Sequence, residues 1–278
     1  MALVAEMLSY PFMVRAFIVG TLVALCAALL GVSLVLRRFS MIGDGLSHVG
    51  FGAMAVATAV NAAPLAVAIP VVVASAFLLL RVSDGSKIKG DASVALISTG
   101  ALAVGVFVIS MSTGMNTDVD NYLFGSILGL SQTDVVLSII VSVAVLIVFV
   151  ILYNRIVAIT FDESFAKATG TNTGAYNAAL ATLAALVIVL GMKLMGALLI
   201  SSLIVFPALT SMRVHDSFRR VTISSAVVSV ACLWIGITVS YVFSTPAGAS
   251  VVLCNIAAFF LHWAVGAILR RAPKGSQR

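Results

Sequence analysis

Long apolar runs, separated by short polar or charged breaks, recur along the whole chain. They predict nine membrane-crossing helices at roughly 14–36, 45–60, 64–81, 92–112, 133–153, 175–191, 195–212, 221–243 and 248–269. A helix rising ~1.5 Å per residue needs about 20 residues to cross ~30 Å of hydrocarbon, and most of these runs suffice or nearly do. The stretch 175–212 is too long for one crossing, so a break is placed within Gly191-Met-Lys-Leu-Met-Gly196. The second run is too short: Leu46 to Val60 is fifteen residues, or ~22 Å of helix. The preceding segment Phe39–Gly45, with two glycines, is therefore expected to enter the membrane as irregular backbone. Such backbone is tolerated at depth only inside protein or along a wet cavity. The predicted fold class is an all-α integral membrane protein, a polytopic bundle forming one domain over 1–278.

Charge placement gives this bundle a direction. With the N-terminus outside, the inner side holds Arg37, Arg38, Arg81, Lys87, Lys89, Arg155, Lys167, Arg213, Arg219, Arg220, Arg270, Arg271, Lys274 and Arg278, while the outer side holds only Arg15 and Lys193. Basic residues concentrate on the cytoplasmic side, so the C-terminus is expected in the cytoplasm. The net charge of +6 is thus topological and does not point to nucleic acid. The first fourteen residues carry Glu6 and no basic residue, so the basic start of a cleavable signal peptide is missing. Cys26, Cys232 and Cys254 are isolated in apolar runs, and their spacing supports neither a metal pair nor a disulfide framework.

The chemistry concentrates in Ser40-Met-Ile-Gly-Asp-Gly-Leu-Ser-His-Val-Gly-Phe-Gly52. The chain is 62% hydrophobic and only 9% charged, and an Asp at mid-bilayer costs roughly 2.5–3.5 kcal/mol, so Asp44 and His48 demand a reason. Four residues apart on a helix they share a face, and carboxylate oxygen with imidazole nitrogen suits a divalent transition metal. The structural alternative is a helix-capping Asp44 and a His48 bonded to a carbonyl. Elsewhere, the outer loop carries Asp118, Asp120 and, at its end, Asp134, with no basic residue. Carboxylates at a mouth raise local cation concentration, and Tyr122 and Phe124 are candidates for an outer gate. Pro207 lies inside a span and is expected to shape that helix, with Ser201, Ser202 and Thr210 near enough to satisfy the carbonyl it frees. His215 and His262 are expected to be structural.

Five co-linear segments carry a family resemblance. Leu36-Arg-Arg-Phe-Ser-Met-Ile-Gly-Asp-Gly-Leu-Ser-His48, Ser86-Lys-Ile-Lys-Gly-Asp-Ala92, Tyr122-Leu-Phe-Gly-Ser-Ile-Leu128, Phe161-Asp-Glu-Ser-Phe-Ala-Lys-Ala-Thr-Gly170 and Met195-Gly-Ala-Leu-Leu-Ile-Ser-Ser-Leu-Ile-Val-Phe-Pro-Ala208 resemble, in order, the motifs of ABC transporter permeases for zinc, manganese and iron. Gly45 stands where that family usually has Ala, and Phe51-Gly52 where it often has Leu-Pro.

The resemblance implies a vitamin B12-importer-like permease fold in the cytoplasmic (inner) membrane, embedded in lipid. It implies a homodimer with a second copy of the chain, two cytosolic ATPase subunits, and an extracellular or periplasmic metal-binding protein that delivers the ion. The chain itself has no Gly-x-x-x-x-Gly-Lys-Ser/Thr phosphate loop, so it is expected to be a transport subunit and not an enzyme. No permanently bound cofactor is expected, only the transported divalent metal. Zinc is favoured because it is the commoner partner of imidazole, with manganese or iron as alternatives.

The segment Phe161–Gly170 is expected to be a short helix with Phe161 and Phe165 one turn apart. Asp162 and Glu163 suit its N-terminus, Ala168 and Gly170 leave close-approach surface, Ala166 belongs to the same candidate segment, and Gly170 is also a stop. It either lies at the membrane interface or, as the resemblance implies, enters a groove of the ATPase. An ion-coupled carrier without an ATPase is the runner-up. An intramembrane metalloenzyme would need more ligands than Asp44 and His48 supply.

Overall fold

The computed structural model describes residues 6–7, 9–85, 91–111, 125 and 131–271. Among them the chain forms ten helices and no strand: α1 (Pro11–Leu36), α2 (Ile42–Ala59), α3 (Pro64–Gly85), α4 (Asp91–Met111), α5 (Gln132–Phe161), α6 (Glu163–Ala168), α7 (Thr173–Met195), α8 (Ala197–Ser211), α9 (Phe218–Phe243) and α10 (Ala247–Arg271). Nine of them, all but the short α6, coincide with the nine apolar runs. Six are long and apolar enough to cross a membrane (α1, α4, α5, α7, α9 and α10), while α3 and α8 contribute shorter apolar helices.

α1 and α7 are the most buried of the six and α4, α5 and α10 the least. α1 is a central column against which α5, α7, α8 and α9 pack; α2 is surrounded by α3, α4, α7 and α8. Lipid tails are as apolar as leucine, so contact area alone does not drive helices together, and small residues that allow close approach do more. Gly31 of α1 lies against the backbone carbonyl of Ile204 on α8, and Gly52 of α2 lies against the carbonyl of Ala101 on α4. A Cβ at either glycine would collide with backbone. Hydroxyls add interhelical bonds: Ser229 Oγ and Ser225 Oγ of α9 donate to the Ala24 and Ala28 carbonyls of α1 at 3.1 and 3.4 Å.

The second helix starts earlier than the hydrophobic run suggests. It begins at Ile42 and has 18 residues, about 27 Å of helix. The irregular segment shrinks to residues 37–41, where Arg38 takes φ 63° and Phe39 N–H donates to the Leu34 carbonyl at 2.8 Å. Gly43 and Gly45 do not break the helix; they are where neighbours approach it. A Cβ on Gly43 would sit 3.1 Å from Ile204 Cδ1 of α8, and one on Gly45 would sit 2.5 Å from Val94 Cγ1 of α4. Buried glycine in a helix here serves packing.

The break between α7 and α8 falls on Gly196, at φ 88° and ψ 157°. That backbone region is essentially restricted to glycine, which explains why one apolar run yields two helices. α8 stays continuous through Pro207. The hydroxyls expected to compensate the proline do something else: Ser201 Oγ donates to the Ala197 carbonyl and Ser202 Oγ to that of Leu199, while Thr210 Oγ1 is buried without a partner.

Because Val94 fills the space that an alanine at position 45 would need, Gly45→Ala should destabilise the protein by about 1–3 kcal/mol through overpacking. Gly45→Ala combined with Val94→Ala should recover most of that loss, since the new methyl occupies the vacated volume. Thermal unfolding of the detergent-solubilised protein checks this; additive losses in the double variant would refute the packing explanation.

Candidate functional site: the Asp44–His48 pair

Asp44 is the third residue of α2, in its first turn, and His48 follows one turn later. Unpaired backbone N–H groups and the helix dipole make a helix start electropositive, which favours the Asp44 carboxylate there and opposes a bare cation. The helical spacing brings His48 Nε2 to 3.5 Å from Asp44 Oδ2. That exceeds the 2.7–3.2 Å of a good N–H···O bond, so the two groups face each other without closing. The Asp44 side chain is 46% exposed and that of His48 24%. His48 Nδ1 is buried with no hydrogen-bond partner, although buried polar atoms are normally satisfied. The expected structural alternative, a His48 bonded to a carbonyl, is therefore not what the fold builds. Ser47 Oγ donates to the Asp44 carbonyl at 2.7 Å, and Ser201, reaching from α8, lies beside the Asp44 carboxylate.

The result is an oxygen–nitrogen pair on one helix face, open on one side, with a hydroxyl from a second helix. Among the described residues no group of three or more His, Cys, Asp and Glu gathers to hold a metal. An ion at Asp44 and His48 would complete its shell with water or backbone oxygen, an exchangeable arrangement that suits transit better than permanent ligation.

The other predicted site residues divide. Asp118, Asp120, Tyr122 and Phe124 lie outside the described residues. Asp134, read with that loop, is the third residue of α5; its Oδ1 pairs with Lys193 Nζ of α7 at 2.7 Å and its Oδ2 accepts from Ser131 Oγ at 2.7 Å. It is a committed carboxylate and not a free one. His262 Nδ1 lies 2.8 Å from the Ala258 carbonyl one turn back, a structural role.

Phe161–Gly170 is not one helix. α5 runs through Phe161, Asp162 turns to extended backbone (φ −148°, ψ 93°), and α6 occupies Glu163–Ala168. Asp162 wins this contest because its Oδ1 accepts from Phe165 N–H at 2.8 Å and caps α6. Gly170, at φ 83°, ends the segment. Phe161 and Phe165 are 65% and 66% exposed, whereas Ala166 is buried; Phe161 also stacks edge-on with Phe218 at 6.0 Å.

Glu163 does more than favour a helix start. Its Oε2 accepts from Arg37 Nη2 at 2.6 Å, its Oε1 from Asn177 Nδ2 at 2.8 Å, and Arg37 Nη1 donates to Asn177 Oδ1 at 2.7 Å. Neither Arg37, read in the sequence as a topological charge and as part of the Leu36–His48 segment, nor Asn177 carries a local signal of this closed triangle.

Comparison with known proteins identifies the chain's family. A manganese transport system membrane protein, MntC, from Halalkalibacterium halodurans is 27% identical over 256 residues, covering 92% of this chain and 88% of that one. The high-affinity zinc uptake system membrane protein ZnuB from Buchnera aphidicola is 28% identical over 240 residues, covering 86% and 92%. Among solved structures, PsaBC from Streptococcus pneumoniae in complex with Fab superposes with a TM-score of 0.84 at 27% identity, covering 94% of each chain. Residues 9–266 match the model of the ABC 3 transport family. This chain therefore belongs to the ABC 3 transport family, the multi-pass permease subunits of ATP-binding-cassette importers, in which ATP is hydrolysed by a separate subunit.

Proposed function

We propose that this permease carries a divalent transition metal inward, with Asp44 and His48 as its transit ligands. The observation that supports this most is a histidine whose Nε2 lies 3.5 Å from the Asp44 carboxylate on one helix face while its buried Nδ1 has no partner. The relatives named above transport manganese and zinc. Zinc is the favoured ion, on the affinity of imidazole for it, with manganese or iron as the alternative. Asp44 supplies charge against the helix-start potential, and His48 supplies nitrogen. Two copies of the chain pair in the lipid membrane, two ATPase subunits dock at α6, and an extracellular or periplasmic metal-binding protein delivers the ion. The N-terminus faces outward and the C-terminus the cytoplasm, on the count of basic residues.

Asp44→Asn and His48→Ala should each lower metal uptake by more than roughly tenfold, because even the outer-shell partners of metal ligands cost 10–100-fold. Radioactive zinc and manganese uptake into proteoliposomes holding the complex measures this, and the stronger competitor identifies the preferred ion. Parent-like uptake in both variants would sink the assignment.

Phe165→Ala should weaken co-purification of the ATPase or uncouple its hydrolysis from uptake, since an exposed aromatic on a capped six-residue helix is suited to a partner's groove. A variant that assembles and transports like the parent would reduce α6 to a connector.

After Cys26, Cys232 and Cys254 are replaced, a cysteine at Ser217 should resist an impermeant thiol reagent in intact cells, and one at Asn61 should react. The reverse pattern would invert the orientation; equal reactivity would mean a wrong number of crossings between the two.

A further inference from the structure

Glu163, Arg37 and Asn177 come from three separate elements: the first residue of α6, the residue that ends α1, and the second turn of α7. Each side chain bonds to both others, at 2.6, 2.7 and 2.8 Å. The guanidinium fork is split, one nitrogen to each partner, which an ammonium cannot reproduce with one planar group. Arg37 is 11% exposed and Glu163 42%, so the guanidinium is shielded while the carboxylate side of the contact meets solvent. A triangle bonded along all three edges has no soft direction: displacing one corner drags the others.

The corner at Arg37 leads toward Asp44. Its guanidinium also lies over the Phe39 ring, 5.6 Å from the centroid, inside the turn 37–41 that connects α1 to α2. Ile42 N–H then donates to the Phe39 carbonyl at 3.1 Å, and Asp44 is two residues further on. A small hollow lined by Arg37, Ile156, Thr160, Tyr176 and Asn177 flanks the triangle.

We infer that the Arg37–Glu163–Asn177 triangle is the strut that carries displacement of α6 to the first turn of α2, so that these are positioning residues for Asp44. This rests on the reading of α6 as the ATPase-docking element and of Asp44 as a metal ligand. The separation along the chain, 126 residues between Arg37 and Glu163, means that the link is made by the fold and not by chain connection. Arg37 is therefore neither a docking residue nor a ligand.

The test is the number of zinc or manganese ions taken up per ATP hydrolysed, measured in proteoliposomes holding the full complex with its ATPase subunits. Arg37→Lys keeps the charge and loses the fork; Asn177→Ala removes one corner and leaves the ion pair. In each, the ATPase should co-purify and hydrolyse ATP at about the parent rate while ions per ATP fall at least about fivefold. The double variant should fall no further than the worse single one, because groups acting as a unit are non-additive. Parent-like ions per ATP in both single variants would overturn the strut. So would loss of ATPase binding in proportion to loss of uptake, which is what a merely structural triangle would give. A parent complex that hydrolyses ATP and takes up neither metal would refute the importer reading itself, an outcome distinct from parent uptake with unaltered ratios in the variants.

Discussion

Gly31 of α1 touches the backbone of Ile204 on α8, and much of the site's geometry depends on that contact. It lets α8 lie against the central column with no side chain between them. The Ile204 side chain, on the same residue, meets Gly43 in the first turn of α2. One residue of α8 is thus held between glycines of two other helices. Ser201, nearly one turn earlier on α8, comes to the Asp44 carboxylate by the same placement. A larger residue at position 31 would push α8 outward, and the surroundings of Asp44 would go with it.

α7 is tied near both ends. Asn177 near its start belongs to the triangle with Arg37 and Glu163, and Lys193 near its end pairs with Asp134 of α5. The two ties lie sixteen residues apart, about 24 Å along a helix. Directly beyond Lys193 the chain reverses its backbone handedness at Gly196 and enters α8. The helix that buries most deeply beside α1 is therefore fixed at its ends by charge and released by a glycine.

Periodicity and length made the nine apolar helices legible, because in hydrocarbon every backbone N–H and C=O must bond within its own segment. The α7–α8 break was legible for the same reason: one run was too long. The start of α2 was not. Glycines at 43 and 45 read as irregular backbone in sequence, whereas their function is to admit Ile204 and Val94, two partners that only the fold reveals. The Asp44–His48 face followed from the spacing of four; the hydroxyl of Ser201 did not, being more than 150 residues distant in the chain. In Phe161–Gly170 the acidic start and the Gly170 stop were legible, but the assignment of Phe161 to the preceding helix was not, because it depends on the Asp162 capping bond that starts a new helix at Glu163. Asn177 and Lys193 carried only their polarity or charge, and Arg37 its charge and its place in the Leu36–His48 segment, none of which names a partner. Their pairings span 126, 140 and 59 residues, beyond any local pattern.

On the proposed reading, the sparse ligand set at Asp44 has a consequence for residence time. One carboxylate and one neutral imidazole offer a single negative charge to a doubly charged ion. The occupied site then carries a net positive charge beside a helix start that is itself electropositive. An ion in that position is drawn in by the carboxylate and expelled by the surplus. Conduction requires binding that is favourable enough to enter and weak enough to leave, and a charge deficit of one contributes to the second half of that condition.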